Sequence, residues 1–394
     1  IDQQKKVKRD MLQSISNRSQ YECLNEHIYL NQASLGLISR QAISSMHSFL
    51  DEIAQNGNLR MSDEEELNFV NPLRIYSSRL LNCNPKQLAV LSSASEMLSQ
   101  VPFLLEAADK NEVVLVKSDF PSLNLPWIAY AKKNNHLVKF VEENIKKDLT
   151  SSILEQINNK TVAVVVSLVQ FSTGTMIDII KLRAETRAFG VKLVLDVTQA
   201  AGAIEIKSRA WNPDILVCSG YKWLGGHGGV ALAVLSPEMA AKKPQSIGWM
   251  GSRYPFEMES TKLDLAQGAQ KFTQGTMSYV SVRGLTVSIQ EILRLSVNKI
   301  ENHSKQLAKI LISKISKTGW NVYSQNNEKE RSNHILSLFN PNLSSTEVVK
   351  QLSQKKLICS SRNGRLRISL SHYNNESDLS FLINLLDCGL KLKV

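Results

Sequence analysis

The sequence predicts an α/β fold: a mostly parallel, seven-stranded-type sheet with helices on both faces, followed by a smaller α+β C-terminal domain. Three observations predict it. From about Lys86 onward, short apolar runs alternate with amphipathic stretches of helical length. Several of these runs are near-continuous and β-branched, which suits strands covered on both faces. After Thr276 the alternation stops and a long helical pattern takes over.

In chain order, the strand candidates are Leu88–Leu91, Glu112–Val116, Val138–Val141, Val162–Val166, Leu193–Leu195, Ile215–Val217 and Val230–Leu235. Helices are expected between them, at Ser95–Leu105, Leu125–Asn134 and Ile179–Phe189. A long helical stretch is expected from Val280 to about Ile315, then shorter strands and a closing helix around Ser377–Leu390. The polar stretch Gln325–Glu330 reads as a loop. Residues 31–289 form the expected large domain and 290–394 the small one, with residues 1–30 packing against the latter.

The 394 residues suffice for two domains with a substantial core. Lys and Arg number 47 against 36 acidic residues, a net charge of +11, but the lysines are scattered. A solvated basic surface is the reading, and no nucleic-acid partner is expected. The five cysteines are widely spaced, without a Cys-x-x-Cys pair, so neither a disulfide framework nor a metal site is indicated. That cysteine usage fits a reducing cytoplasm. The amino terminus does not read as a signal peptide, and the most apolar segment, Val162–Val169, is too short to span a bilayer.

Chemistry concentrates at the ends of the predicted strands. Lys222 follows Ile215–Val217 within Cys218-Ser219-Gly220-Tyr221-Lys222-Trp223, and Asp196 ends the run Lys192–Leu195. A lysine amine can condense with the aldehyde of pyridoxal 5'-phosphate (PLP), and an acid can pair with the pyridine nitrogen so that the ring accepts electrons. Upstream, Leu91-Ser92-Ser93-Ala94-Ser95-Glu96 closes a strand and opens a helix. Its small residues suit an anion, though a plain Ser N-cap with Glu in the first turn is the bland alternative. Gln199 is placed to donate to the ring oxygen, Ser219 to bond the phosphate, and Phe120 to stack on the ring or else to join the core. All lie at strand ends, where open α/β sheets place ligands.

These segments resemble the fold-type I PLP enzymes of the class V aminotransferase superfamily, which includes cysteine desulfurases, kynureninases and isopenicillin-epimerase-like proteins. The resemblance rests on Ser167–Gly174, Asp196–Gly202 and Ser219–Leu224. Tyr29–Ser34, Phe120-Pro121-Ser122 with Pro126-Trp127, Phe272–Thr276, Arg367-Ile368-Ser369 and Tyr373-Asn374 extend it over most of the chain. It implies that Lys222 is the Schiff-base lysine, that Asp196 pairs with the pyridine nitrogen and Gln199 with the ring oxygen. Ala94, Ser95, Ser219 and Tyr221 would surround the phosphate, with Trp249 near it. Gly275 and Thr276 would reach the phosphate of a neighbouring subunit, which implies a homodimer with shared sites. Arg367 would grip the carboxylate of an amino-acid substrate, with Asn31 also on the substrate side.

The chain departs from two branches of that superfamily. The segment Leu357–Gly364 is too short for a desulfurase cysteine loop, and Cys359 reads as a buried structural thiol. Gln199 and Tyr221-Lys222-Trp223 differ from the residues usual in kynureninases. None of the seven histidines has a catalytic context, and the role of His227 in its glycine-rich loop stays open. The expected activity is transamination. A PLP-dependent β-lyase, an epimerase and a non-catalytic PLP-fold binding protein are the alternatives.

Overall fold

The computed structural model describes residues 11–105, 109–323 and 330–387. The expected loop at 325–330 falls outside these up to residue 329, as do residues 388–390 of the expected closing helix. A short first strand, β1 (Ile28–Tyr29), precedes the central sheet. That sheet has seven strands: β2 (Leu88–Leu91), β3 (Glu112–Val116), β4 (Leu137–Val141), β5 (Thr161–Ser167), β6 (Lys192–Asp196), β7 (Ile215–Ser219) and β8 (Ala231–Leu235). Their order across the sheet is β2-β8-β7-β6-β5-β3-β4. Strands β3 to β7 pair in parallel, while β8 runs antiparallel to both β7 and β2. Six strands therefore point one way, and their carboxyl ends share one edge.

Both faces of the sheet are covered, which is why its strands read as unbroken apolar runs. Successive residues alternate between two clusters. Val114, Val116, Val164, Val166, Leu193 and Leu195 face one, together with Leu182 and Leu285 from flanking helices. Val113, Leu115, Ala163, Val165 and Val194 face the other, with Leu123 and Trp127. Each fully buried Val or Leu contributes about 1.5–3 kcal/mol of transfer free energy, so this edge-to-edge burial makes a stiff platform.

A second, antiparallel sheet comprises β9 (Asn321–Tyr323), β10 (Ile335–Phe339), β12 (Ser360–Arg362) and β13 (Arg365–Ser369), in the order β12-β13-β10-β9. Strand β11 (Leu357–Ile358) pairs in parallel with β1. Helices Val297–Ile315, Ser345–Gln354 and Glu376–Asp387 add their apolar faces to the core of this sheet. Segment 11–30 lies against the same body: the Ile15 N–H donates to the His372 carbonyl at 3.0 Å, and Arg18 pairs with Asp378 at 2.8 Å.

Two helix expectations are refined. The pattern from Val280 to Ile315 is two helices, Tyr279–Leu295 and Val297–Ile315, broken at Ser296 with φ +73°. A left-handed residue ends a helix whatever the periodicity around it. The stretch Ser95–Leu105 is likewise two short helices, Ala94–Leu98 and Val101–Leu104, because Pro102 has no N–H to continue the first. No helix among the described residues is long and apolar enough to cross a membrane.

Candidate active site

The carboxyl edge of the large sheet closes around a cavity of about 130 Å³. Ser93, Ala94, Ser95, Phe120, Ser122, Ser167, Asp196, Gln199, Ser219, Tyr221 and Lys222 are among the residues that line it, each just past or at a strand end. Ser93 caps the following helix by accepting from the Glu96 N–H, and the Glu96 carboxylate accepts from the Ser92 N–H. Both cap readings are therefore correct for those two residues. Ser95 is not used as a cap; its hydroxyl meets that of Ser122 at 2.7 Å on the cavity wall.

Lys222 is held through its backbone. Its carbonyl accepts from the Gln32 side chain at 2.9 Å, and the Gly36 N–H bonds the Tyr221 carbonyl at 2.9 Å. Segment 31–36 thus lies directly over the lysine, and a Cβ on Gly36 would stand 2.0 Å from the Lys222 oxygen. The ammonium is left without an ion pair among the described residues and lies 5.1 Å from the centre of the Phe120 ring. Burial lowers its pKa from 10.5 to about 8, against the opposing pull of Asp196, and the charges of Arg367 and Arg362 lower it further.

Asp196 is 6% exposed, and burial raises its carboxyl pKa to about 6, although Thr198 donates to it at 2.7 Å. The Thr198 hydroxyl also receives the Ser219 N–H at 3.1 Å, tying the ends of β6 and β7 together. Phe120 is 37% exposed, so it lines the cavity instead of joining the core. Asp119, fully enclosed, anchors that corner by accepting from the N–H of Phe120 and from both the N–H and hydroxyl of Ser167.

Gln199 has both ends of its amide engaged: Nε2 donates to the Ala33 carbonyl at 3.0 Å and Oε1 accepts from the Trp223 indole at 2.8 Å. Arg367 is 1% exposed and has no carboxylate partner among the described residues. Its guanidinium donates to Ser360, to the Phe171 carbonyl and to the Ser34 hydroxyl, which Arg362 also reaches at 3.2 Å. Burial, reinforced by the neighbouring Arg362, lowers its pKa to about 9.

Not every expected residue lies on this cavity. Asn31 is absent from the wall, and its backbone carbonyl accepts from the Ser34 N–H. Trp249 is 40% exposed and lines a separate surface hollow with Ile247, Tyr254, Met258 and Leu263. Gly275 lies beside it, since a Cβ there would be 3.7 Å from the indole nitrogen. Cys359 is buried, which pushes its thiol up to about 12, and His227 is an exposed loop residue bonded only to its neighbour's carbonyl. Sequence reasoning did not single out Ser93, Ser122, Ser167, Phe171 and Thr198 as site residues, yet all five line the wall. The strand-end position of Ser167 was the signal available for it.

The family model for class-V aminotransferases matches residues 28–382, which takes in both sheets and the whole cavity. This chain belongs to that family. An uncharacterized aminotransferase, YcbU, of Bacillus subtilis is 23% identical over 93% of this chain and 95% of its own length. A probable cysteine desulfurase of Mycoplasma genitalium is 24% identical over 78% of each chain. A kynureninase of Bacillus anthracis is 22% identical over 78% of this chain and 76% of its own. Among solved structures, a lysine mutant of C-DES with glycine covalently linked to its PLP cofactor superposes with a TM-score of 0.86, at 17% identity, covering 94% and 99%.

As a class-V family member the chain is a PLP-dependent enzyme. The residues present fit that cofactor. A buried lysine without an ion pair among the described residues, a buried carboxylate and a wall of serine hydroxyls are groups that could meet its aldehyde, ring nitrogen and phosphate.

Proposed function

We propose that this class-V enzyme is an aminotransferase acting at Cα of an amino acid through Lys222. The observation that carries the reading is the placement of Lys222 and Asp196 on one cavity wall, whose Phe171 carbonyl is bonded by Arg367, an arginine without a carboxylate partner among the described residues. PLP, when bound, supplies an aldehyde for covalent linkage to an amine and an electron-accepting ring.

Each side chain then has a defined task. Lys222 would hold the cofactor through its amine, and its lowered pKa makes accessible the neutral form that can take the Cα proton. Asp196 holds a proton at the ring nitrogen. Gln199 directs an amide N–H toward the ring oxygen, and Phe120 covers one face of the ring. Ala94, Ser95, Ser219 and Tyr221 bind the phosphate. Arg367 receives the substrate carboxylate with two parallel N–H donors and so fixes which bond at Cα meets the lysine.

A tight hairpin supports transfer over desulfuration. Strands β12 and β13 are joined by Asn363-Gly364, both at positive φ (+49° and +73°). A two-residue turn of this kind leaves no loop to bring a nucleophilic cysteine to the substrate. We also place the working form as a homodimer, with Trp249, Gly275 and Thr276 completing the phosphate site of the partner. The exposed apolar hollow around Trp249 supports this.

The test is the absorbance spectrum of protein supplied with PLP, alone and with a panel of amino acids. A visible band that is lost in Lys222→Ala and converts to the amino form of the cofactor with an amino acid is expected. Release of pyruvate, alanine or sulfide with the band retained would select lyase chemistry instead. No band after adding PLP would overturn the assignment of Lys222.

A further inference from the structure

We propose that Trp223 and His334 are positioning residues that lock the Gln199 amide with its NH2 group toward the cofactor, making Gln199 an obligate donor there. The inference rests on the cofactor site proposed above and concerns two residues with no role in it.

An indole N–H can only donate and a backbone carbonyl can only accept. The Trp223 N–H bonds Oε1 of Gln199 at 2.8 Å, and the Ala33 carbonyl takes Nε2 at 3.0 Å. A flipped amide would set its oxygen against the Ala33 oxygen and its NH2 against the indole N–H. Two hydrogen bonds would become two repulsions, all of it buried: Trp223 and Gln199 are each 4% exposed. One Nε2 hydrogen remains uncommitted, on a residue that lines the cavity.

His334 fixes the indole and the backbone of Gln199 together. Its ring meets Trp223 edge to face at 4.6 Å and 87°. Its Nε2 bonds the Gln199 carbonyl at 2.5 Å, which assigns the proton to that nitrogen and leaves Nδ1 buried and unpartnered. Burial pushes the His334 pKa down to about 4, so the neutral tautomer persists across the working range. The amide orientation is therefore set by residues from three distant parts of the chain, at 33, 223 and 334.

A donor fixed at the ring oxygen stabilises the oxygen's anionic form and weakens its hold on the proton shared with the lysine–cofactor link. The other charged or titratable groups around the cavity are Lys222, Asp196 and Tyr221, with Asp119, Arg367 and Arg362 behind them. Trp223→Phe alters none of these; it removes the indole N–H and leaves a smaller aromatic ring facing His334.

The experiment is a pH titration of the visible band in the PLP-loaded wild type, Trp223→Phe and His334→Phe, with thermal melts alongside. The expected result is an upward shift of the midpoint by roughly half to one pH unit in Trp223→Phe, and a smaller shift of the same sign in His334→Phe. Melting temperature alone would move if the two residues were only structural, and midpoints equal to wild type would overturn the inference. If Trp223→Phe does not fold, the midpoint of His334→Phe decides. A wild type with no visible band would instead overturn the cofactor site itself, and this inference with it.

Discussion

Lys222 and Asp196 are ionisable groups that the fold keeps out of water, and burial shifts each toward its neutral form. In the cofactor-free protein, the folded pKa of Lys222, about 8, lies below the unfolded value of 10.5. Between those values the unfolded chain binds more protons, so stability rises with pH across that window. Below about pH 8 both states are charged and the full penalty, on the order of 3 kcal/mol, is present. Lys222→Met is therefore expected to stabilise the cofactor-free protein at pH 7 by up to about 3 kcal/mol and to flatten the rise above pH 8; urea titrations at several pH values read this directly. On the proposed mechanism the same change should lower turnover by more than about a thousandfold, because Lys222 would be both the cofactor link and the base. Arg367→Lys keeps the charge but not the planar pair of donors. It should raise KM for the amino acid by roughly ten- to a hundredfold while the visible band persists, which steady-state kinetics and a spectrum check together.

At the scale of elements, two short backbone segments place different demands on a glycine. Segment 31–36 crosses over Lys222 so closely that Gly36→Ala would force a Cβ against the lysine carbonyl. Loss of PLP affinity by more than about tenfold is expected, measured by fluorescence titration of the cofactor-free protein. Gly364, at φ +73°, has open space around its missing Cβ. Gly364→Ala should cost only the backbone strain, about 1 kcal/mol, with PLP affinity unchanged. The seven strands of the large sheet were legible to within a residue or two, because burial on both faces leaves an uninterrupted β-branched signature. The break at Ser296 was not: Leu295 and Val297 continue the apolar periodicity, and nothing local announces a left-handed serine. Lys222, Asp196, Ser219 and Phe120 were legible because strand ends are readable. Trp223 and His334 were not, since their meeting depends on how β10 packs against the loop after β7.

At the scale of the molecule, a hollow lined by Ile247, Trp249, Tyr254, Met258 and Leu263 leaves large apolar side chains on the surface. Trp249→Glu is expected to shift the protein from dimer to monomer in sedimentation velocity and to weaken PLP retention in parallel; a wild-type monomer would sink the shared-site reading. One small contact has a consequence for how the molecule is made. Tyr373 donates at 2.6 Å to the same Gln32 that holds the Lys222 carbonyl. The lysine's backbone is thus secured by partners some 190 residues before it and 150 after it. A nascent chain that has completed every strand of the large sheet still lacks Tyr373, about 140 residues further along. Those strands can therefore pair before the contact that braces the Lys222 backbone is complete.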